Sequence, residues 1–463
     1  DLIILGGGSA AFSAALKADE LGASSVIING GLPMGGTCVN IGCVPSKTLL
    51  RAADALHRAV NNPFDGIEIT GRLTDFKSVI SQKRDLVESL RQAKYLDVIK
   101  DSPNIKLIEG RGKFVDSATV SVNGQNIKAE KIIIATGSSP HLPPVKGLAE
   151  SRYLTTEKLF ALDELPESVI VLGGRFIALE CAQMLARFGS RVTILQRSER
   201  IIPNQTEEIS LALTGYLESE GIKIVTGVAI ESVERGSSGV TVNANVGGGS
   251  KTFDSTHLLV ALGQRANTRE TGLENTGAKT DAGGALAVDD ELRTAQPGIY
   301  GAGDVTGEPM FVYTAAYEGG LAAENAISGS SKKRDYAVVP WVVFTDPQVA
   351  GVGMDEKQAA AAGIEADTST LPLAQLPRAL AARDTRGFVK LVRDVKTDKL
   401  LGARVVAPEG SEIIMEAALA VKYGITVSGL TETLHPYLTL SEAVKLAAIG
   451  FKKDINKLSC CAG

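Results

Sequence analysis

Short unbroken apolar runs recur along the chain, among them Leu2-Ile3-Ile4-Leu5, Val26-Ile27-Ile28, Ile132-Ile133-Ile134, Val169-Ile170-Val171-Leu172, Val192-Thr193-Ile194-Leu195 and Leu258-Leu259-Val260-Ala261-Leu262. Runs of this length without alternation predict strands buried on both faces, the habit of parallel sheets. The runs at Leu2 and Val169 each lead through glycines into a helix, the first alanine-rich over residues 11–21. Between them, residues 75–100 carry a helical period with mixed charge, including Lys83, Arg84, Asp85, Glu88, Arg91 and Lys94, and Tyr95 interrupts that surface. This predicts a solvated amphipathic helix. Ile105 to Val122 alternates as short strands, and Asn123-Gly124 signals a hairpin. Towards the C-terminus, Trp341-Val342-Val343-Phe344 and Gly387-Phe388-Val389-Lys390-Leu391-Val392 predict strands, and residues 411–423 an amphipathic helix that packs.

Composition narrows the class. With 463 residues, 44% of them apolar, the chain is long enough for two or three domains. A net charge of -5 argues against nucleic acid or an anionic membrane surface as partner. No apolar run approaches the roughly 18 residues of a membrane span, and no basic, apolar, cleavable leader is visible ahead of the strand at Leu2. Five cysteines (Cys38, Cys43, Cys181, Cys460 and Cys461) are too few for a disulfide scaffold and fit a reducing, cytoplasmic setting. Cys181, beside Glu180 on a helix, reads as core, and the four histidines show no zinc spacing.

Two stretches carry nucleotide chemistry. Gly6-Gly7-Gly8-Ser9-Ala10-Ala11 is the G-x-G-x-x-A dinucleotide fingerprint, in which Gly6 and Gly8 allow the turn, Ala11 packs, and the helix N-terminus faces a pyrophosphate. The acidic ribose ligand of that fingerprint is replaced by Asn29, which still hydrogen-bonds a hydroxyl. Gly173-Gly174-Arg175-Phe176-Ile177-Ala178 repeats the pattern after the linker prolines Pro140, Pro143 and Pro144. Here Arg175 stands at the second fingerprint glycine, where a guanidinium meets the pyrophosphate. The following strand ends in Gln196 with Arg197 and Arg200 nearby, which suits a 2′-phosphate and hence NADPH.

Redox chemistry concentrates in Gly35-Gly36-Thr37-Cys38-Val39-Asn40-Ile41-Gly42-Cys43-Val44-Pro45-Ser46-Lys47. A cysteine pair at a helix start gains thiolate character from the dipole and the unpaired N–H groups, and the glycines admit a flat cofactor closely. The chain ends in Cys460-Cys461-Ala462-Gly463. Adjacent cysteines rarely reach the Cα separation of about 4.4–6.8 Å of an unstrained disulfide. As thiolates they suit capture of a soft, two-coordinate cation and its transfer to another thiol pair.

The thirteen-residue string resembles the active-site segment of the FAD-dependent pyridine nucleotide-disulfide oxidoreductases, and the likeness extends over essentially the whole chain. It implies an α/β protein with two Rossmann-like nucleotide-binding domains and a C-terminal α+β dimerisation domain. The implied boundaries are 1–147 with 264–333 for FAD, 148–263 for NADPH and 334–463 for dimerisation. By the same likeness Cys38 is the interchange thiol, Cys43 the flavin-side thiol, and Lys47, paired with Glu180, lies near the flavin. Gly36, Thr37, the turn Ala135-Thr136-Gly137 and Asp304 of Gly301-Ala302-Gly303-Asp304 resemble further FAD contacts.

Members that reduce disulfides carry a His-Pro pair with a glutamate five residues after the histidine, an imidazole for the departing thiol. In this chain His435 precedes Glu442 by seven residues, and Tyr437 precedes it by five. Tyrosine in that slot, with the Cys460-Cys461 tail, resembles the branch that reduces Hg(II). There the tail of one subunit in a homodimer takes Hg(II) from thiol complexes and delivers it to Cys38 and Cys43 of the other, beside Tyr95 and Tyr437. Many members carry a small metal-binding domain with a C-x2-C motif before the core; none is visible in this sequence, so it is either absent or removed. Two alternatives stay open: a thioredoxin-reductase-like enzyme with His435 at the thiol pair, and a metal-sequestering flavoprotein whose Arg175 blocks NADPH.

Overall fold

The computed structural model describes residues 1–237 and 239–457; Cys460 and Cys461 lie outside the described residues. Three of the early apolar runs form the centre of one parallel sheet, in the order Ile299–Gly301, Lys131–Ile134, Leu2–Leu5, Ser25–Asn29, Ile105–Glu109. Each strand is short because it is buried on both sides, and Ile3, Ile4, Ile27 and Ile133 are all but inaccessible. Helices Ser9–Glu20 and Val312–Ser328 lie together on one face. An antiparallel meander, Lys113–Asp116, Thr119–Val122 and Gln125–Lys128, lies in sequence between the strands Ile105–Glu109 and Lys131–Ile134 and packs its Phe114, Val120 and Val122 against the other face.

The second fingerprint builds a second parallel sheet, ordered Lys223–Val225, Arg191–Leu195, Ser168–Leu172, His257–Val260. The antiparallel strands Val228–Arg235, Val240–Val246 and Gly249–Ser255 cover it. Residues from 341 onward form a five-stranded antiparallel sheet, with helices Gly410–Lys422 and Glu442–Ile449 packed into its core. Asn123-Gly124 and Gly247-Gly248 both make two-residue hairpin turns with positive φ at each position.

The amphipathic stretch over 75–100 is helical but not uniform. Asp75 caps it by accepting from the amides of Lys77 and Ser78 at 3.0 and 3.2 Å. Helix Phe76–Arg91 then passes through a π-helical turn, Gln92–Leu96, before ending at Asp97–Ile99.

One buried cation ties the parts together. Arg187, whose side chain is 1% exposed, reaches Asp54 on helix Cys43–Val60 at 2.5 Å, Glu220 at 2.6 Å and Asp346 of the C-terminal sheet region at 3.2 Å. Among the described residues no helix is long and apolar enough to cross a membrane.

Candidate active site

Cys38 sits in the short helix Gly36–Asn40, and Cys43 opens the helix Cys43–Val60. Both are partly buried and free of a disulfide. The Cys43 sulfur accepts a hydrogen bond from Cys38 and faces the Lys47 ammonium, and these outweigh burial to bring its pKa down to about 7. Cys38 is driven the other way, by giving that hydrogen bond, by burial and by the negative charge on Cys43. Of the two thiols, Cys43 is therefore the one that ionises first, through neutral pH.

Lys47 follows Cys43 by one helical turn, so both share a face. Its Nζ lies 2.8 Å from Glu180 Oε2 and 4.4 Å from the centre of the Phe344 ring. The other oxygen of Glu180 accepts from the Phe344 amide at 3.0 Å. A buried carboxylate on helix Phe176–Phe188 is thereby satisfied from two directions and fixes the lysine beside the thiols.

Tyr95 comes to the site through the π turn. Its ring packs on Gly35, where a Cβ would fall 3.2 Å from it, and meets Phe12 edge to face at 4.9 Å. Its hydroxyl bonds the Ser9 side chain, and burial together with the nearby thiols raises its pKa.

Cys38, Cys43, Lys47 and Glu180 line one cleft of about 710 Å³, with Tyr95 set behind Gly35 outside its lining; the cleft runs past Gly6, Gly8, Thr37 and Thr136 to Asn29 and Arg111, with Asp304 on its wall. It has the form a dinucleotide needs. Gly36 has φ +60°, and a Cβ there would stand 2.7 Å from the Cα of Gly8, so the two helix starts approach as only glycines allow. Thr136 Oγ1 donates to the Asn267 carbonyl at 2.7 Å, which fixes the turn Ala135-Thr136-Gly137. The Ser138 hydroxyl donates to Asp304 at 2.7 Å, and burial raises that carboxyl. The cleft suits FAD: Gly6, Gly8, Gly36, Thr37 and the 135–137 turn line it and would be the backbone contacts, and Ala11 packs behind them. Asp304 offers FAD a carboxylate.

The second fingerprint copies the first at the backbone level. Gly6 and Gly173 both have positive φ, and a Cβ on them would fall 2.1 and 2.4 Å from the carbonyls of Ala135 and Ala261. Ala11 and Ala178 are both fully packed. Gly8 and Arg175 each precede the helix in extended conformation, φ -88° and -102°. Arg175 therefore needs no glycine backbone, and its side chain is exposed. Arg197 is exposed too, whereas Arg200 donates to the carbonyls of Pro203 and Gln205 at 3.0 and 2.9 Å. The exposed guanidinium groups at this second turn are thus those of Arg175 and Arg197.

The remaining predicted residues stand apart. Tyr437 is 46% exposed, and neither it nor Glu442 lines the cleft. Glu442 Oε2 is buried without a hydrogen-bond partner among the described residues. His435 is held in its own domain, with Nε2 2.6 Å from Glu416 Oε1. Cys181 is fully packed in the core around helix Phe176–Phe188, and burial raises its thiol.

Two residues escaped the sequence reading. Glu318, buried on helix Val312–Ser328, accepts from the Gly303 amide at 2.5 Å, and burial raises its carboxyl to about 7. Glu109 lies beside Asn29. A lone glutamate in a helix and another at a strand end carry no motif that could have singled them out.

Residues 1–319 match the family model for pyridine nucleotide-disulphide oxidoreductases, and residues 339–448 match that for the dimerisation domain of the same proteins. With both parts present in order, the chain belongs to the pyridine nucleotide-disulphide oxidoreductase family, and it is an FAD- and NADPH-dependent flavoprotein that forms a homodimer. More particularly, it is 47% identical over 463 residues to the mercuric reductase of Lysinibacillus sphaericus, covering all of this chain and 84% of that one. It is 46% identical to the mercuric reductase of Bacillus cereus, of which it covers 73%, and 44% identical to that of Staphylococcus aureus, of which it covers 84%. Among solved structures it resembles the HOCl-induced flavoprotein disulfide reductase RclA of Escherichia coli, at 30% identity and a TM-score of 0.86 over 96% of this chain and 98% of that one. LpdA of Mycobacterium tuberculosis matches at 30% identity and a TM-score of 0.85, over 98% and 99% of the two chains.

Proposed function

We propose that this chain reduces Hg(II) to elemental mercury at the expense of NADPH and so serves mercury detoxification in the cytoplasm, where thiols stay reduced. The observation that carries this reading is the likeness to mercuric reductases along the whole chain, the thiol pair included. Bound FAD supplies the two-electron carrier between NADPH and the thiol site.

The chain's own groups then have definite tasks. Cys43, a thiolate near neutral pH, and Cys38, once its proton is lost, hold Hg(II) in the linear two-sulfur geometry that soft cations accept. Lys47 keeps the Cys43 charge, and Glu180 keeps Lys47 in place. Tyr95, packed behind Gly35 and close to the thiols, is assigned to assist ligand exchange. Tyr437 and Glu442 lie outside this cleft, and the buried, unpartnered Glu442 oxygen suits a site completed by the second subunit. Cys460 and Cys461 would bring Hg(II) from solution thiols to the partner's pair. The domain limits adopted are 1–147 with 264–333 for FAD, 148–263 for NADPH and 334–463 for dimerisation. Arg175, Arg197 and Arg200 are assigned to the phosphates of NADPH.

Thiol-disulfide exchange with His435 as the acid is disfavoured by the Glu416 contact, which holds the imidazole in the C-terminal domain. Metal sequestration with Arg175 as a block is disfavoured by the ordinary backbone and outward side chain at that position.

The test is anaerobic titration of the holoenzyme with NADPH, followed by Hg(II) with excess small thiol. One mercury atom released as vapour per NADPH oxidised is expected. Flavin reduction with mercury acting only as an inhibitor would overturn the proposal.

A further inference from the structure

We infer that Glu109 is a positioning residue for the adenosine ribose of FAD: it orients Asn29, and the two together replace the single carboxylate that a dinucleotide fold places at the end of its second strand. The inference rests on FAD occupying the cleft already described.

In that fold an acidic residue accepts hydrogen bonds from the ribose hydroxyls. Asn29 occupies its place, lines the cleft and is 4% exposed. An amide has a donor end and an acceptor end, so its usefulness depends on which way it faces. Here Nδ2 donates to the Leu32 carbonyl at 3.1 Å and to Glu109 Oε2 at 3.1 Å. Both partners are pure acceptors. Turning the amide over would set Oδ1 against a carbonyl and a carboxylate, so the orientation is fixed by chemistry. With both amide hydrogens used, Asn29 offers the cleft its acceptor, and Oδ1 lies against Gly7, where a Cβ would stand only 2.2 Å from it.

Glu109 is held for this task. It ends the neighbouring parallel strand, in register with Asn29. The Gly110 amide donates to the Asn29 carbonyl at 2.8 Å, and the Asn123 side chain donates to the Glu109 carbonyl at 2.8 Å. The next residues, Arg111 and Gly112, line the cleft. A carboxylate accepting from the far side of an amide polarises it and strengthens its oxygen as an acceptor. The negative charge that the fingerprint expects at the second strand thus sits one strand over.

The experiment follows exchange of FAD out of the holoenzyme by flavin fluorescence, with either FAD or an FAD analogue lacking the 2′- and 3′-hydroxyls of the adenosine as competitor. For the wild-type protein, FAD is expected to bind at least tenfold more tightly than the analogue. In Glu109→Ala, FAD affinity should fall about tenfold while analogue affinity holds, which erases the preference. Asn29→Asp should also weaken FAD, by setting two carboxylates together, and Asn29→Asp with Glu109→Gln should recover it. The inference is overturned if Glu109→Ala retains the wild-type preference for the hydroxyls, or if it weakens FAD and the analogue equally. A purified protein without FAD would instead refute the assignment of the cleft.

Discussion

Lys47 sets the chemistry of the thiol pair at the scale of single residues. Together with the Cys38 hydrogen bond, its charge holds Cys43 at about 7, below the ordinary thiol value of 9.0. A depressed pKa means that the thiolate is present above it and lost as the pH falls through it. Alkylation of Cys43 in the reduced protein by iodoacetamide, read by peptide mass spectrometry, should therefore rise between about pH 6 and 8 and level off above. Lys47→Met should move that rise upward by about one unit, followed as thiolate absorbance at 240 nm. If the curve stays where it was, Lys47 does not hold the charge. The Lys47 and Glu180 pairing was readable only through the resemblance to the oxidoreductase family, since the residues lie 133 apart in the chain. Glu109 was not readable. Its contact with Asn29 depends on strand register 80 residues apart, which no local pattern encodes.

At the scale of elements, periodicity served best where one rule decides the structure. The buried apolar runs became the parallel strands, and Asn123-Gly124 became a two-residue turn because both positions adopt positive φ. The helix over 75–100 was readable as a helix, but its π turn was not. One extra residue per turn leaves the mixed-charge pattern nearly unchanged, since solvated faces tolerate any register. That turn nevertheless directs Tyr95 onto Gly35. Removing Ala93 should restore a regular helix and rotate Tyr95 off the site. Mercury-dependent NADPH oxidation should then fall about tenfold or more, to the level of Tyr95→Ala, since small displacements of a reacting group cost that much. Reduction of the flavin by NADPH should continue in both variants, and a stopped-flow trace separates the two steps. Unimpaired turnover in the deletion would show that the π turn has no such role.

The whole molecule is held by charge as well as by its apolar cores. Arg187 joins the redox helix, Glu220 and the C-terminal domain from a fully buried position. Arg187→Met would remove the buried cation that Asp54, Glu220 and Asp346 share and should cost about 3–5 kcal/mol in urea unfolding. A change under about 1 kcal/mol would mean that the remaining arginines, Arg386 among them, already compensate. The homodimer raises the larger question of which subunit feeds which site. Two inactive proteins answer it, one with Cys38→Ala and Cys43→Ala, the other with Cys460→Ala and Cys461→Ala. If the tail serves the partner, mixed dimers join an intact tail to an intact thiol pair across the subunit boundary. Statistical mixing makes about half the dimers mixed, each with one working site of two, so co-refolded protein should recover roughly a quarter of wild-type activity. If each tail serves its own subunit, every site in the mixture lacks either its thiol pair or its tail. Activity would then stay at the level of the parents.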